Sequence, residues 1–342
     1  MPNQMKLYIT SLLFTCTLAA VAQTTGWTTY EFLEQPTSAH ITALGGANVS
    51  LADDDVNLVF QNPASLSEET HNRLGLNYAY AFADIMYGTA AYGYNLNDRN
   101  FFSIGAQYVD YGTFTETDFV NNDLGTFSAK DMALYMSYAR RLSETLKIGA
   151  TLKPVFQAWE RKTSFGLGAD VGLHYNDTAN HFSAGLVFRN IGAQLIGFES
   201  EQTGDYREPL PFNIELGASW KLSHAPLRFS FTLHNLQRWN FAYLSANQMS
   251  TKKEPNFVDK AFRHAIIGVE FVPSDNFYVA VGYNHRRAAE LRVADFKSMA
   301  GFSFGAGAKI SKFQVAFGMG NYLKGHSLYH FSLATSLEAF GL

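Results

Sequence analysis

The chain has 342 residues, a formal charge of −4, 16% charged and 15% aromatic residues, and a mean hydropathy of −0.10. This balance argues against a nucleic-acid partner, which needs a basic surface, and against a bundle of membrane-spanning helices, which needs long apolar runs. With 27 Gly, 18 Tyr and 29 Phe it is instead the composition of a membrane β-barrel, whose polar lumen face dilutes its lipid face.

Residues 1–22 read as an export signal. Lys6 supplies the positive start, residues 7–20 the apolar core, and Ala20-Val21-Ala22 the small-residue cleavage site. The only cysteine, Cys16, falls inside it. Phe14-Thr15 stand where a lipoprotein signal carries small residues, so cleavage after Ala22 is the expectation, leaving a chain without disulfides or thiol chemistry.

Residues 23–72 carry helix and loop signals. Ser38 is placed to cap a short helix running toward Leu44, with Gly45 and Gly46 as its stop. Asp53-Asp54-Asp55 lacks the alternating ligands and distal glutamate of an EF-hand and reads as a solvated loop. Pro63 forces Asn62 out of helical geometry and opens a rigid turn. Gly45, Gly46, Asn62, Pro63 and Ala64 thus mark a plug, or a foot leading into the first strand.

From residue 73 to the end the pattern is strand after strand, which makes residues 73–342 the barrel. Leu74, Leu76, Tyr78, Tyr80 and Phe82 share one face, with Gly75, Asn77, Ala79 and Ala81 on the other. The same alternation recurs through Phe102–Tyr108, Met132–Tyr138, Phe165–Tyr175 and Phe212–Trp220, and onward to Tyr329–Leu333. The predicted fold is an all-β, antiparallel transmembrane barrel of about fourteen strands with an N-terminal plug. Connections sort by parity: tight polar turns at 97–100, 143–145, 176–180, 223–226, 273–276 and 311–312 alternate with mostly longer loops at 112–127, 158–163, 191–210, 237–260 and 287–297. A soluble sandwich has no reason to sort its loops this way. Tyr138, Trp159, Tyr175 and Trp220 suit interfacial girdles. An even strand count and a cleaved signal place both termini in the periplasm and the long loops outside. Inward glycines and alanines suit either a lumen filled by the plug or relief of crowding in a narrow barrel.

No nucleophile motif or phosphate-binding glycine loop is present, so no catalytic residues and no cofactor are assigned. His174, His234, His264 and His330 fall on different strands without ligand spacing, and no metal site is assigned. Asp170 and Glu270 point into the lumen, to be hydrated, paired or functional there. Among the loops, residues 112–127 carry Glu116, Asp118 and Asp123 and no basic residue, whereas Arg286, Arg287, Arg292 and Lys297 make another connection basic. These charges are placed either to pair with each other or to bind a protein partner or the phosphate and sugar groups of lipopolysaccharide. Trp239, Phe241, Tyr243 and Leu244 form an aromatic cluster suited to a partner or to folding over the barrel mouth.

Ala43-Leu44-Gly45-Gly46-Ala47, Asp53-Asp54-Asp55 and Asn62-Pro63-Ala64-Ser65-Leu66 together resemble the N-terminal signature of long-chain fatty acid transporter-like (FadL/PorV) barrels. Gly125-Thr126-Phe127-Ser128-Ala129 and Leu233-His234-Asn235-Leu236-Gln237-Arg238-Trp239 resemble the PorQ family, found in the type IX secretion system of Bacteroidota. That resemblance spans the mature chain and implies a fourteen-stranded, plugged, non-enzymatic barrel. It also implies partners: a PorZ-like surface protein, a PorU-like sortase and a PorV-like barrel, acting where cargo is attached to lipopolysaccharide. The alternative is a FadL-like transporter of hydrophobic solutes. One departure is that the chain runs on past its last strand, leaving the terminal aromatic of the assembly signal open between Phe331 and Phe340.

Overall fold

Strands that face lipid have no water to satisfy their backbones, so every N–H and C=O must be paired in a sheet without edges. The computed structural model describes residues 28–82, 85–118, 120, 122–200, 204–205, 207–239, 256–291, 299–323 and 326–341, and shows that solution. The barrel strands are β1 (Arg73–Tyr80), β2 (Met86–Asn97), β3 (Asn100–Thr117), β4 (Asp123–Arg141), β5 (Leu146–Trp159), β6 (Lys162–Asp177) and β7 (Phe182–Ile196). They continue with β8 (Asn213–Lys221), β9 (Leu227–Leu233), β10 (Ala265–Ser274), β11 (Phe277–Asn284), β12 (Phe302–Ile310), β13 (Phe313–Leu323) and β14 (His326–Ser336). Each pairs antiparallel with its neighbour in sequence, and β14 closes onto β1 from Arg73↔Ser336 to Tyr80↔Tyr329. The predicted fourteen-stranded barrel is borne out.

Alternation works as the sequence requires. In β1, Leu76, Tyr78 and Tyr80 are exposed on the outside while Gly75, Asn77 and Ala79 are buried toward the lumen. Cross-strand aromatic pairs tile the outer wall: Phe102 with Tyr138 (5.0 Å), Phe156 with Phe165 (4.9 Å) and Tyr283 with Phe302 (4.8 Å). Tyr138, Trp159, Tyr175 and Trp220 all lie exposed near strand ends.

One end of the barrel carries the tight turns. Asn97 Oδ1 accepts the N–H groups of Arg99 and Asn100, and Asp177 Oδ1 those of Ala179 and Asn180, so short polar side chains close these turns locally. The opposite, loop end departs from expectation. Residues 112–127 are mostly strand, because β3 and β4 run on past their neighbours as a hairpin. Residues 158–163 reduce to a two-residue turn between Trp159 and Lys162. Two short helices stand at this end, α2 (Phe257–Phe262) and α3 (His285–Glu290). At the turn end a 3₁₀ turn, Leu337–Phe340, follows β14. Phe331 sits exposed within β14, whereas Phe340 lies beyond the strand, packed on Phe313 at 5.8 Å.

Candidate functional site: a plug threaded through the lumen

The lumen is occupied by the chain's own N-terminal segment. At the loop end Thr29 donates its N–H to Pro209 O (3.1 Å), and the Tyr30 hydroxyl meets Ser164 Oγ (2.6 Å). At the turn end Asn95 Nδ2 donates to the carbonyls of Ser67 and Glu68, and Arg141 pairs with Glu68 at 2.9 Å. Residues 28–72 therefore pass through the barrel from mouth to mouth. The ends of the barrel itself, Arg73 and Ser336, share the turn end as expected. Thr28 lies at the opposite mouth, and the residues before it, with the expected start of the mature chain, lie outside the described residues.

The local signals are those in the sequence. Ser38 Oγ accepts the Ile41 N–H and caps α1 (Ala39–Ala43). Gly45 and Gly46, at φ 99° and 104°, end the helix in a region closed to most L-residues, and Gly46 N–H returns to Ile41 O at 2.9 Å. Asn62 Oδ1 accepts the Ala64 N–H (2.9 Å), while its Nδ2 donates to Val49 O (2.9 Å) and to Leu173 O of the wall (3.1 Å). Asn62, Pro63 and Ala64 are all buried inside the lumen, against β5 and β6.

The wall glycines mark where plug and barrel touch. A Cβ on Gly185 would stand 1.9 Å from Val49 O, one on Gly172 2.2 Å from Asn62 Oδ1, and one on Gly318 2.2 Å from Ala39 O. Gly149 faces the Pro63 carbonyl carbon in the same way, at 2.5 Å. Of the two readings of these inward glycines, a lumen filled by the plug is the one the packing supports.

Charge fixes the plug at several levels. Arg228 of β9 forks onto Asp53 (2.6 and 2.8 Å) and onto Glu270 of β10 (2.7 and 2.9 Å). Glu270 also meets His40 Nε2 at 2.7 Å, and the His40 ring stacks on Tyr278 at 4.3 Å. Asp54 takes Arg73 and Lys309, each at 2.8 Å. Asp55 caps the turn Val56–Phe60 by accepting Asn57 N–H. The aspartate run is thus a clamp and not a solvated loop; its cations lie far away in sequence on β1, β9 and β12. Burial alone would push the His40 imidazole down, but the Glu270 charge and hydrogen bond outweigh it and raise its pKa. Burial alone would raise Asp53, and Arg228 overrides it and holds Asp53 below its ordinary value. Asp55 is raised by burial.

A second cluster lies on the β5–β8 side. Lys153 pairs with Asp170 at 2.6 Å and with the Asn190 amide oxygen, and Arg189 pairs with Glu215 at 3.2 Å. Plug atoms complete it. Glu34 accepts from Asn190 (2.8 Å) and Asn213 (2.9 Å), and Leu33 O accepts from Arg189 (3.1 Å). Asp170 and Glu270 are therefore paired lumen charges. His40, Lys153, Arg189 and Arg228 belong to this site and are absent from the sequence-based assignment. Their signal is a charge on the small, polar face of a strand or beside the plug glycines.

At the turn end a polar vestibule of about 1220 Å³ opens against the plug, lined by Asp53, Asp54, Arg73, Lys147 and Arg228 among others. Lys147 Nζ donates there to Leu66 O at 2.7 Å. Phe32, Leu33, Phe60, Tyr135 and Val155 belong to one buried apolar cluster between plug and wall.

Of the residues assigned to partner loops, Trp239, Arg286 and Arg287 are described. Trp239 is 46% exposed and stacks on Phe257 of α2 (5.9 Å) and against His264 (4.6 Å). Arg286 pairs along α3 with Glu290 (2.8 Å). Arg287 lies over the Tyr322 ring at 4.2 Å, beside Gly46, so it belongs to the plug's surroundings. Phe241, Tyr243, Leu244, Arg292 and Lys297 lie outside the described residues, as does the signal at 1–22.

No protein-family model matches the sequence, and no curated protein matches it. Solved structures do. A monoaromatic hydrocarbon channel, CymD, is 14% identical over 88% of this chain and 97% of its own, with a TM-score of 0.56. The Pseudomonas putida toluene transporter TodX is 12% identical over 88% and 97%, with a TM-score of 0.53. A Pseudomonas aeruginosa FadL homologue is 10% identical over 88% and 98%, with a TM-score of 0.51. At these identities the likeness is one of fold: the chain has the FadL-like barrel fold.

Proposed function

We propose that this protein is a non-enzymatic outer-membrane scaffold of the type IX secretion system, a PorQ-type barrel. In this reading it anchors a PorZ-like partner at the cell surface, beside a PorU-like sortase and a PorV-like barrel that process cargo and attach it to lipopolysaccharide. The observation that carries this reading is the plug. It crosses the whole lumen, is held by buried ion pairs at several levels, and meets wall positions where no side chain fits. A barrel built this way is suited to standing still and presenting its rim. The loop end faces outward and the turn end faces the periplasm. Affinity purification through a tag on this protein tests it. The expected result is recovery of a PorZ-like protein from outer membranes; its absence under conditions that keep the barrel folded contradicts the role.

The second reading, passage of long-chain fatty acids or other hydrophobic solutes, is favoured by the shared fold with the hydrocarbon channels. It requires the plug to move. Uptake of a radiolabelled fatty acid into vesicles carrying the purified barrel, above that of empty vesicles, would establish it.

A further inference from the structure

Among the described residues, the hairpin that β3 and β4 build beyond the rim has no strand beside it. The β2–β3 register ends at Met86↔Asp110 and the β4–β5 register at Ala129↔Trp159. Among the described residues, the ladder from Thr113↔Ser128 to Thr117↔Asp123 pairs these two segments with each other, and Ser128 O at the root also accepts the Glu160 N–H (3.0 Å). Above its root, both outer edges of this ribbon are therefore without a strand partner among the described residues.

The ribbon is nevertheless fixed in place. At its root Asp131 accepts from the Tyr111 hydroxyl (2.8 Å), Trp159 Nε1 (2.8 Å) and Gln157 Nε2 (3.2 Å). At its tip Asp118 accepts the N–H groups of Val120 and Asn122 and the Asn122 side-chain amide, which holds its carboxyl below the usual range. Phe114 and Phe127 stack at 5.3 Å midway, and Leu124 is 59% exposed. An isolated two-stranded ribbon is marginal in water, and a rigid one with open edges is a template for a third strand.

Charge states what that strand must be. Residues 111–129 contain Glu116, Asp118 and Asp123 and no basic residue. The Arg161 guanidinium approaches Glu116 only to 3.9 Å and is itself 84% exposed. We propose that this ribbon is the docking element of the barrel, taking an extended, positively charged segment of its surface protein partner by strand addition. The side chains of that segment alternate between the Phe114–Phe127 stack and solvent, and its cations meet Glu116 and Asp123. The inference rests on the docking role proposed above.

The test compares three forms of the full barrel in the same tagged pull-down: wild type, a form in which residues 112–127 are replaced by Asn-Gly, and Glu116→Lys/Asp123→Lys. The last keeps the ribbon and reverses its charge, so it answers the question even where the shortened hairpin fails to fold. The expected result is a PorZ-like partner recovered by wild type and reduced by about tenfold or more with charge reversal, with a steep loss in added salt. Equal recovery by wild type and charge-reversed protein overturns the inference and leaves the docking role standing. No recovery by wild type itself fails the docking role, and the inference with it.

Discussion

Arg228 faces two carboxylates from different parts of the chain, Asp53 on the plug and Glu270 on the wall, and its removal leaves Asp53 without its cation and Glu270 with His40 alone. Breaking one partner out of a buried ionic cluster costs about 3–5 kcal/mol, because the remaining charges have lost their solvent and their counterion. Arg228→Met should lower the denaturant midpoint by a corresponding amount and expose the plug to protease while the barrel persists. His40 and Asp53 give the clamp opposite pH limits. The raised His40 contributes stability that is complete below its ordinary 6.5 and is lost as pH rises through its elevated folded value. The lowered Asp53 contributes stability that is complete above its ordinary 3.8 and is lost as pH falls through its depressed folded value. Protease accessibility of the plug should therefore be lowest between these limits and rise on both sides, and His40→Gln should remove the alkaline limb alone. The wall makes a matching prediction. Gly185→Ala puts a methyl 1.9 Å from Val49 O, against backbone that cannot swing aside, and should cost about 1–3 kcal/mol by overpacking.

At the scale of elements, Asn62 ties the plug together. One side chain caps a turn, holds Val49 and reaches the wall at Leu173. Asn62→Ala should cost about 1–3 kcal/mol, as a buried residue whose partners are left unsatisfied. Asn62→Asp should be worse, since a carboxylate oxygen would face the Val49 and Leu173 carbonyls; urea melts of the two variants check the order. Strand positions were legible because lipid and lumen demand opposite residues every second position, and the tight turns because Asn and Asp bond their own backbone there. The hairpin of β3 and β4 was not legible as strand. Both its faces meet water, so Thr, Asp and Gly replace the apolar alternation and imitate a loop. The capped helix at Ser38 and its glycine stop are local and read directly. The path of the plug is not: Asp54 meets Lys309, and Thr42 meets His330, across most of the chain, and nothing in a run of three aspartates names distant partners.

For the whole molecule, the central claim is that the barrel works with its plug in place. The chain carries one cysteine, Cys16, within the expected signal, so an engineered pair can lock plug to wall without competition. Ser50 on the plug and Ser219 on β8 are suited to this, with their hydroxyls 2.7 Å apart and both side chains buried. The most direct measurement is the attachment of secreted cargo to the cell surface by cells carrying Ser50→Cys/Ser219→Cys, with the disulfide formed and with it reduced. A fixed scaffold predicts equal attachment in the two states, each at the wild-type level. Attachment that is lost on oxidation and restored on reduction would show that the plug must move, and would contradict the account.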